Sequence, residues 1–275
     1  MKTKNLKYIL AVLLVMMAIT SCKKDFLDEN PRTDLISPTD FKSLRALLDN
    51  DIVMNLTPLL GELSSDNYYT TFQYWQTLTQ KHERLSYIWA KDIYNGQLNV
   101  DDWSLSYSQV LHANIVLTGL QGIPATGTNR DEWNMLKGSA LFYRANAYYN
   151  LAQIFAPAYE SSTAATDLGL PLRTDPDISI SVPRSSVQQT YDSILANLDE
   201  AEQLIVSSVQ YLSKNRPSQP AVLALKARVY LSMRNYEQAG EYADRALQLY
   251  DSLINYNDLN PGYMEIGRAS CRERV

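Results

Sequence analysis

The sequence is poor in the residues that carry most covalent and metal chemistry. Two cysteines, Cys22 and Cys271, in 275 residues are too few for a disulfide framework. The two histidines, His82 and His112, have no second His or Cys at ligand spacing, so no metal site is readable. Neither a G-x-S-x-G elbow nor a phosphate-cradling Gly loop occurs, and no cofactor is expected. Gly (10) and Pro (11) are too scarce for a collagen-like or disordered chain, and 45% apolar residues are enough to bury a real core. The formal charge of −5, with no Lys/Arg cluster beyond the first residues, removes nucleic acid as a partner, because phosphate binding needs a basic face. Phenylalanine is also rare, 5 against 19 tyrosines, so the chain favours rings that carry a hydroxyl.

The start breaks this pattern. Lys2, Lys4 and Lys7 precede an apolar run from Tyr8 to Ile19, the order of an export signal and shorter than the roughly 20 apolar residues that span a bilayer. Ile19-Thr20-Ser21-Cys22 closes the run and resembles a bacterial lipobox. Residues 1–21 are therefore expected to be a lipoprotein signal peptide, Cys22 the lipid-attachment site, and 22–36 a polar lipidated tether, with acyl chains rather than a helix as anchor. At the other end, IGRASCRERV has no apolar period, and its back-translation resembles a sequencing-adapter read-through. The expectation is that 266–275 is an artefact and that 37–265 is a truncated domain, the competing reading being a genuine basic tail. Without these two ends the chain is more acidic still.

Between them the helical period recurs. Ser37-Pro38-Thr39-Asp40 offers a cap, an N1 proline and an acid ahead of Phe41, Leu44 and Leu48. A second face runs through Leu105, Val110, Leu111, Ala113, Val116, Leu117 and Leu120, opened by Asp101-Asp102 and closed by Gly122 and Pro124. Asn129 with Glu132, and Ser185 with Gln188, read as capping boxes. The first precedes the face Leu136, Ala140, Tyr143, Ala147, Leu151 and Ile154, ended by Pro157. The second precedes Val187, Tyr191, Ile194, Leu195, Leu198, Ala201 and Ile205. The stretch from Ala221 to Tyr250 resembles a tetratricopeptide repeat, a helix pair of about 34 residues. Ala227, Ala239 and Ala246 take the small positions, Tyr230 and Tyr236 wedge the pair, and Arg234-Asn235 turns. Arg144 to Phe155, with Ala145 and Tyr148, resembles the first helix of another repeat. Its partner is delayed to Tyr191–Ala201 by a long polar insertion, and long loops inside repeats are more often functional than decorative. The fold expected is all-α, tetratricopeptide-like helical repeats with long loop insertions.

The order of blocks carries a family resemblance. A lipobox Cys followed by KKDFLDENP comes first, then WSLSYSQVLHANIVL, KGSALFYRANAYYNLAQIFAPAY, GLPL, SVPRSSVQQTYDSILANLDEAEQLI and NRPSQPAVLALKARVYLSMRNYEQAGEYADRAL. Together they resemble the amino-terminal half of a SusD/RagB-type outer-membrane nutrient-binding lipoprotein, over nearly all of Cys22 to Tyr250. The resemblance implies a surface-exposed lipoprotein of the cell outer membrane that takes a glycan, an oligosaccharide or polysaccharide, and passes it to a SusC-like TonB-dependent transporter. The alternative class is a periplasm-facing helical-repeat scaffold that assembles proteins.

No enzyme is expected. Glu62 with Asp66, Asp101 with Asp102, and Asp175 with Asp177 could be named as acid/base pairs, but acids at a helix start favour the dipole and those flanking Pro176 belong to a turn. Binding a sugar without cutting it needs ring faces for C–H groups and polar groups for hydroxyls. SSDNYYTTFQYWQTL concentrates both: Asp66, Asn67, Tyr68, Tyr69, Phe72, Tyr74 and Trp75, with Trp89 and Tyr94 able to extend the platform. Two readings stay open there, a ligand platform or Tyr74 and Trp75 packing a loop on the helices. Trp103 and Tyr107, at i and i+4, read as core, as do Tyr143, Tyr148, Tyr230 and Tyr236.

Overall fold

A computed structural model describes residues 38, 40–96, 101–206, 215–253, 255 and 257. Segments 1–21, 22–36 and 266–275, with Cys22, lie outside the described residues. The elements are α1 (Phe41–Leu48), α2 (Asp51–Met54), α3 (Leu60–Leu63), α4 (Phe72–Thr77), α5 (Lys81–Tyr87), α6 (Asp101–Gln121), α7 (Arg130–Phe155), β1 (Leu168–Pro171), β2 (Arg184–Ser186), α8 (Val187–Leu204), α9 (Gln219–Ser232) and α10 (Tyr236–Leu249). Among the described residues the architecture is all-α apart from one two-stranded antiparallel ribbon inside the insertion, where only loop was expected.

The helix starts show where local chemistry overrode the expected caps. Asp40 caps α1, its Oδ1 accepting from Ser43 N at 2.9 Å, while Ser37, the expected capping hydroxyl, lies outside the described residues. Asn129 makes no capping bond into α7; its amide turns back, accepting from Thr126 N at 2.6 Å and donating to Pro124 O at 3.2 Å. The box expected at Ser185 and Gln188 forms one residue later. Ser186 Oγ accepts from Gln189 N at 3.1 Å, and Gln189 Oε1 accepts from Ser186 N at 2.9 Å. The shift frees Ser185 Oγ to donate to Leu170 O in β1.

α7 is the central element, packed by α6 on one side and α8 on the other. It therefore buries more than the single face its period suggested. Leu136, Ala140, Tyr143, Ala147 and Leu151 are joined inside by Leu141, Ala145, Tyr148, Tyr149 and Ala152. One core, under α1, holds Leu44, Leu48, Met54, Val116 and Leu136, and the other holds Tyr148, Leu170, Ile194, Leu198 and Val229. Each fully buried leucine or isoleucine contributes about 1.5–3 kcal/mol. Gly138 lets α7 meet the end of α8, since a Cβ there would clash with Ile205.

α9 and α10 form the expected helix pair. The turn places Arg234 at φ 59, with Arg234 N donating to Leu231 O and Asn235 N to Tyr230 O, a Schellman closure without glycine. Ala239 and Ala246 are buried as expected. Tyr236 is not the wedge, being 68% exposed; Tyr242 stacks on Tyr230 instead, rings 5.4 Å apart and within 5° of parallel. Beside this stack Lys226 is 2% exposed, its Nζ bonded to Asp199 (2.7 Å), Glu202 (2.6 Å) and Tyr242 Oη (2.9 Å). Burial alone would push this amine down, but those partners hold it above its ordinary value. Glu202, also paired to Arg245, is held below the usual carboxylate range by the two cations although burial opposes it. Three helices are thus tied by one charge cluster.

Candidate functional site

The segment from Ser64 to Trp89 follows α3 and carries α4 and α5, and none of its residues belongs to either core. Thr71 caps α4, its hydroxyl accepting from Tyr74 N at 3.2 Å, so part of the expected loop is helical. The two readings of this stretch divide by residue. Tyr69 and Tyr74 are 86% and 63% exposed, and neither hydroxyl bonds to a described residue. Asp66 and Asn67 are exposed beside them, with Asn67 Oδ1 accepting from Ser65 Oγ at 2.5 Å. Trp75 is half-buried, stacked on Phe72 at 5.7 Å and donating from its indole to Arg84 O at 3.1 Å. Tyr68 packs on Tyr87 at 5.8 Å and donates to Leu63 O at 2.8 Å, and burial pushes its phenol up so that it stays a neutral donor.

Trp89 is set differently. It is 69% exposed and takes φ 51, a left-handed conformation uncommon for a bulky residue. Trp89 N donates to Ser86 O and Ala90 N to Leu85 O, so the indole residue occupies the position that usually takes glycine in a Schellman cap. Its indole N–H donates to Ser64 O at 2.7 Å, which fixes the ring. The structure thus joins the 64–75 loop to α5 and Trp89 through Trp75–Arg84 and Trp89–Ser64. No ring contact joins Tyr69, Tyr74 or Trp89 to another described ring.

A second concavity was not legible in the sequence. The insertion folds back over α6 and leaves a cleft of about 600 Å³, walled by Trp103, Tyr107, Leu111 and Asn114 of α6 and by Arg173, Asp175 and Ile178–Val182. Trp103 and Tyr107 are half-buried: they pack against the core, as expected, Trp103 edge-on against Phe155 at 5.0 Å, and they also wall the cleft. Burial pushes the Tyr107 phenol up, and it donates to Pro171 O at 2.9 Å. The Arg173 carbonyl accepts from Tyr148 Oη (2.6 Å) and Asn114 Nδ2 (3.0 Å), and Asn114 Oδ1 accepts from Arg144 (2.9 Å). The insertion is therefore pinned at its root to buried side chains. Its length inside the repeat was the one sequence signal for it.

Three of the six carboxylates considered for hydrolysis, Asp102, Asp175 and Asp177, have structural partners. Both oxygens of Asp102 accept backbone N–H groups, from Leu59 and Leu60, each at 2.9 Å. Asp175 and Asp177 make Asx turns to Asp177 N and Ser179 N, both 2.8 Å. Among the described residues no group of three or more His, Cys, Asp or Glu could hold a metal ion, and no helix is long and apolar enough to cross a membrane.

Comparison with known proteins decides the family. The SusD-like family described as starch-binding and associating with the outer membrane matches residues 25–231. The chain belongs to that family. A SusD-like protein P38 of Formosa agariphila is 28% identical over 162 residues, covering 54% of this chain and 28% of the relative. A SusD superfamily structure from Bacteroides thetaiotaomicron superimposes with a TM-score of 0.62 at 19% identity, over 79% of this chain and 48% of that one. A SusD-like carbohydrate-binding protein from Bacteroides vulgatus gives 0.59 at 19% identity, over 80% and 47%. The chain thus spans about half the length of these solved SusD-like relatives, and they bear out the all-α helical fold.

Proposed function

We propose that this SusD-like chain captures a glycan at the outer surface of the outer membrane and delivers it, chemically intact, to a SusC-like TonB-dependent transporter. One observation carries the reading: Tyr69, Tyr74 and Trp89 hold ring faces out to solvent beside Asp66 and Asn67, in a family described as starch-binding. Sugars pack their C–H faces on such rings while hydroxyls find polar partners. Tyr68 and Trp75 belong to the same site as its backing. In this reading residues 1–21 are removed on export, acyl chains on Cys22 hold the protein at the membrane, residues 22–36 are the tether, and 37–265 carry the helical-repeat body. The carboxylates of Asp102, Asp175 and Asp177 serve the backbone, which supports binding without cleavage.

Affinity electrophoresis through gels containing starch, laminarin or other polysaccharides tests the capture step, retardation in at least one gel being expected. Unchanged migration in every gel, with no sugar released from any of them, counts against both binding and hydrolysis. Protease shaving of intact cells tests placement: loss of the mature chain supports surface display, and full protection supports the periplasm-facing scaffold.

A further inference from the structure

The cleft between α6 and the insertion has the chemistry of a second saccharide site. We infer that it binds a short sugar, the Trp103 ring stacking on a pyranose face while Arg173 and Asp175 take its hydroxyls. The inference rests on the glycan-binding reading for its ligand class, but it uses different residues from the aromatic loop.

Four observations carry it. The cleft measures about 600 Å³, inside the range of roughly 300–1,000 Å³ that ligand sites span. Trp103 is half-buried in its wall, held by Tyr107 at 4.7 Å and Phe155 at 5.0 Å, so its ring is fixed before any ligand arrives. Its indole N–H, unlike those of Trp75, Trp89 and Trp133, bonds to no described residue. Finally, Arg173 and Asp175 line the same cleft without forming an ion pair with each other. One guanidinium nitrogen of Arg173 donates to Asp177 O at 2.8 Å, and one Asp175 oxygen accepts from Asp177 N at 2.8 Å. Each keeps further donor or acceptor capacity, and a sugar diol, donor and acceptor at once, satisfies both. Ile178, Ile180 and Val182 of the insertion add an apolar flank to the same cleft.

The insertion is anchored where this needs it to be. Tyr148 and Asn114 hold the backbone carbonyl of Arg173, so replacing its side chain leaves that anchor in place. Asp175→Asn likewise keeps the acceptor for the Asx turn while removing the charge.

The four tryptophans, Trp75, Trp89, Trp103 and Trp133, make 5-fluorotryptophan labelling decisive, since each signal can be assigned by substitution. Maltotriose, laminaritriose and cellotriose are titrated separately into the purified protein and followed by fluorine NMR. At least one should move the Trp103 signal saturably, with Trp133, outside the cleft, as the still reference. Arg173→Gln and Asp175→Asn should each raise that midpoint about tenfold, the weight of one charge-assisted hydrogen bond, and leave the Trp75 and Trp89 midpoints alone. If Trp75 or Trp89 responds and Trp103 does not, the cleft is overturned while the aromatic loop stands. If no tryptophan responds to any of the three, both sites fall together. A Trp103 shift indifferent to both substitutions, or one that follows protein concentration rather than sugar, also overturns it; the latter would mean a second copy occupies the cleft.

Discussion

The carboxylate of Asp102, in the first turn of α6, accepts the backbone N–H of Leu60, the first residue of α3, across 42 positions of chain. Its other oxygen takes Leu59 N, so α3, whose own N-cap is an apolar leucine, is capped from outside. The last residue of the α3 turn leads to Ser64, whose carbonyl holds the Trp89 indole. A side chain buried at the head of a core helix thus positions an exposed ring through one short helix.

Asp102→Ala should cost about 1–3 kcal/mol, because two backbone donors lose their acceptor, while Asp102→Asn, which retains one acceptor oxygen, should cost less. Urea denaturation measures both. The fluorine signal of Trp89 should broaden or shift in the Ala variant before global unfolding, and a Trp89 signal identical to the parent's would disprove the coupling.

Within the aromatic loop, tyrosine substitutions are cleaner probes than tryptophan ones. Tyr69→Ala and Tyr74→Ala remove exposed rings and should leave stability within about 0.5 kcal/mol. The ring that stacks the glycan should weaken retardation in a polysaccharide gel about tenfold, equal to about 1.4 kcal/mol. Trp75→Ala also loses the Phe72 contact and the bond to Arg84 O, so its binding loss should come with about 1–2 kcal/mol of destabilisation. Full retardation of the Tyr69/Tyr74 double variant would remove the loop from the site.

What the sequence disclosed follows from how far each signal reaches. The long helices were legible because 14 to 26 residues repeat the 3.6 period several times. α2 to α5, of four to seven residues, complete too few turns to show one. Tyr242 and Tyr236 share a helix, and only the packed partner, Tyr230, distinguishes wedge from surface. Lys226 reads as a solvated lysine until its acids arrive from α8. Asp102 satisfied a local rule about helix starts, which hid its distant role. In the aromatic loop, composition located the cluster but could not tell the exposed Tyr69 from the half-buried Trp75. The cleft was hidden for the same reason as Asp102, since Trp103 and Arg173 meet only through tertiary folding.

The GLPL block has a packing reason. At Gly169 the ribbon lies so close to the start of α8 that a Cβ would overlap Thr190 Oγ1 and the Ser186 carbonyl. Because Ser186 offers backbone rather than a movable side chain, Gly169→Ala should shift the ribbon and cost about 1–3 kcal/mol. It should also weaken the Leu170 N to Thr190 bond, visible as faster amide exchange at Leu170. Unchanged exchange and an unchanged urea midpoint would show the approach to be looser than described.

His112 supplies a pH dependence whose sign can be worked out. It is half-buried on α6, hydrogen-bonded with the Leu47 backbone, and its Nδ1 is buried with no partner among the described residues. Burial therefore pushes its pKa below the ordinary 6.5, since protonation would put a new charged donor where nothing accepts it. The unfolded chain takes up this proton as pH falls through 6.5 while the folded chain resists, so acid favours unfolding. Stability from this group is complete above that value, falls as pH drops towards the folded-state pKa, and levels off below it. The slope is no steeper than about 1.4 kcal/mol per pH unit, the limit for one proton. His112→Gln removes the titration while keeping a donor for Leu47. Urea midpoints of parent and variant from about pH 7.5 to 5 should diverge below 6.5, the parent losing more, and parallel profiles would show that His112 protonates as freely in the fold as out of it.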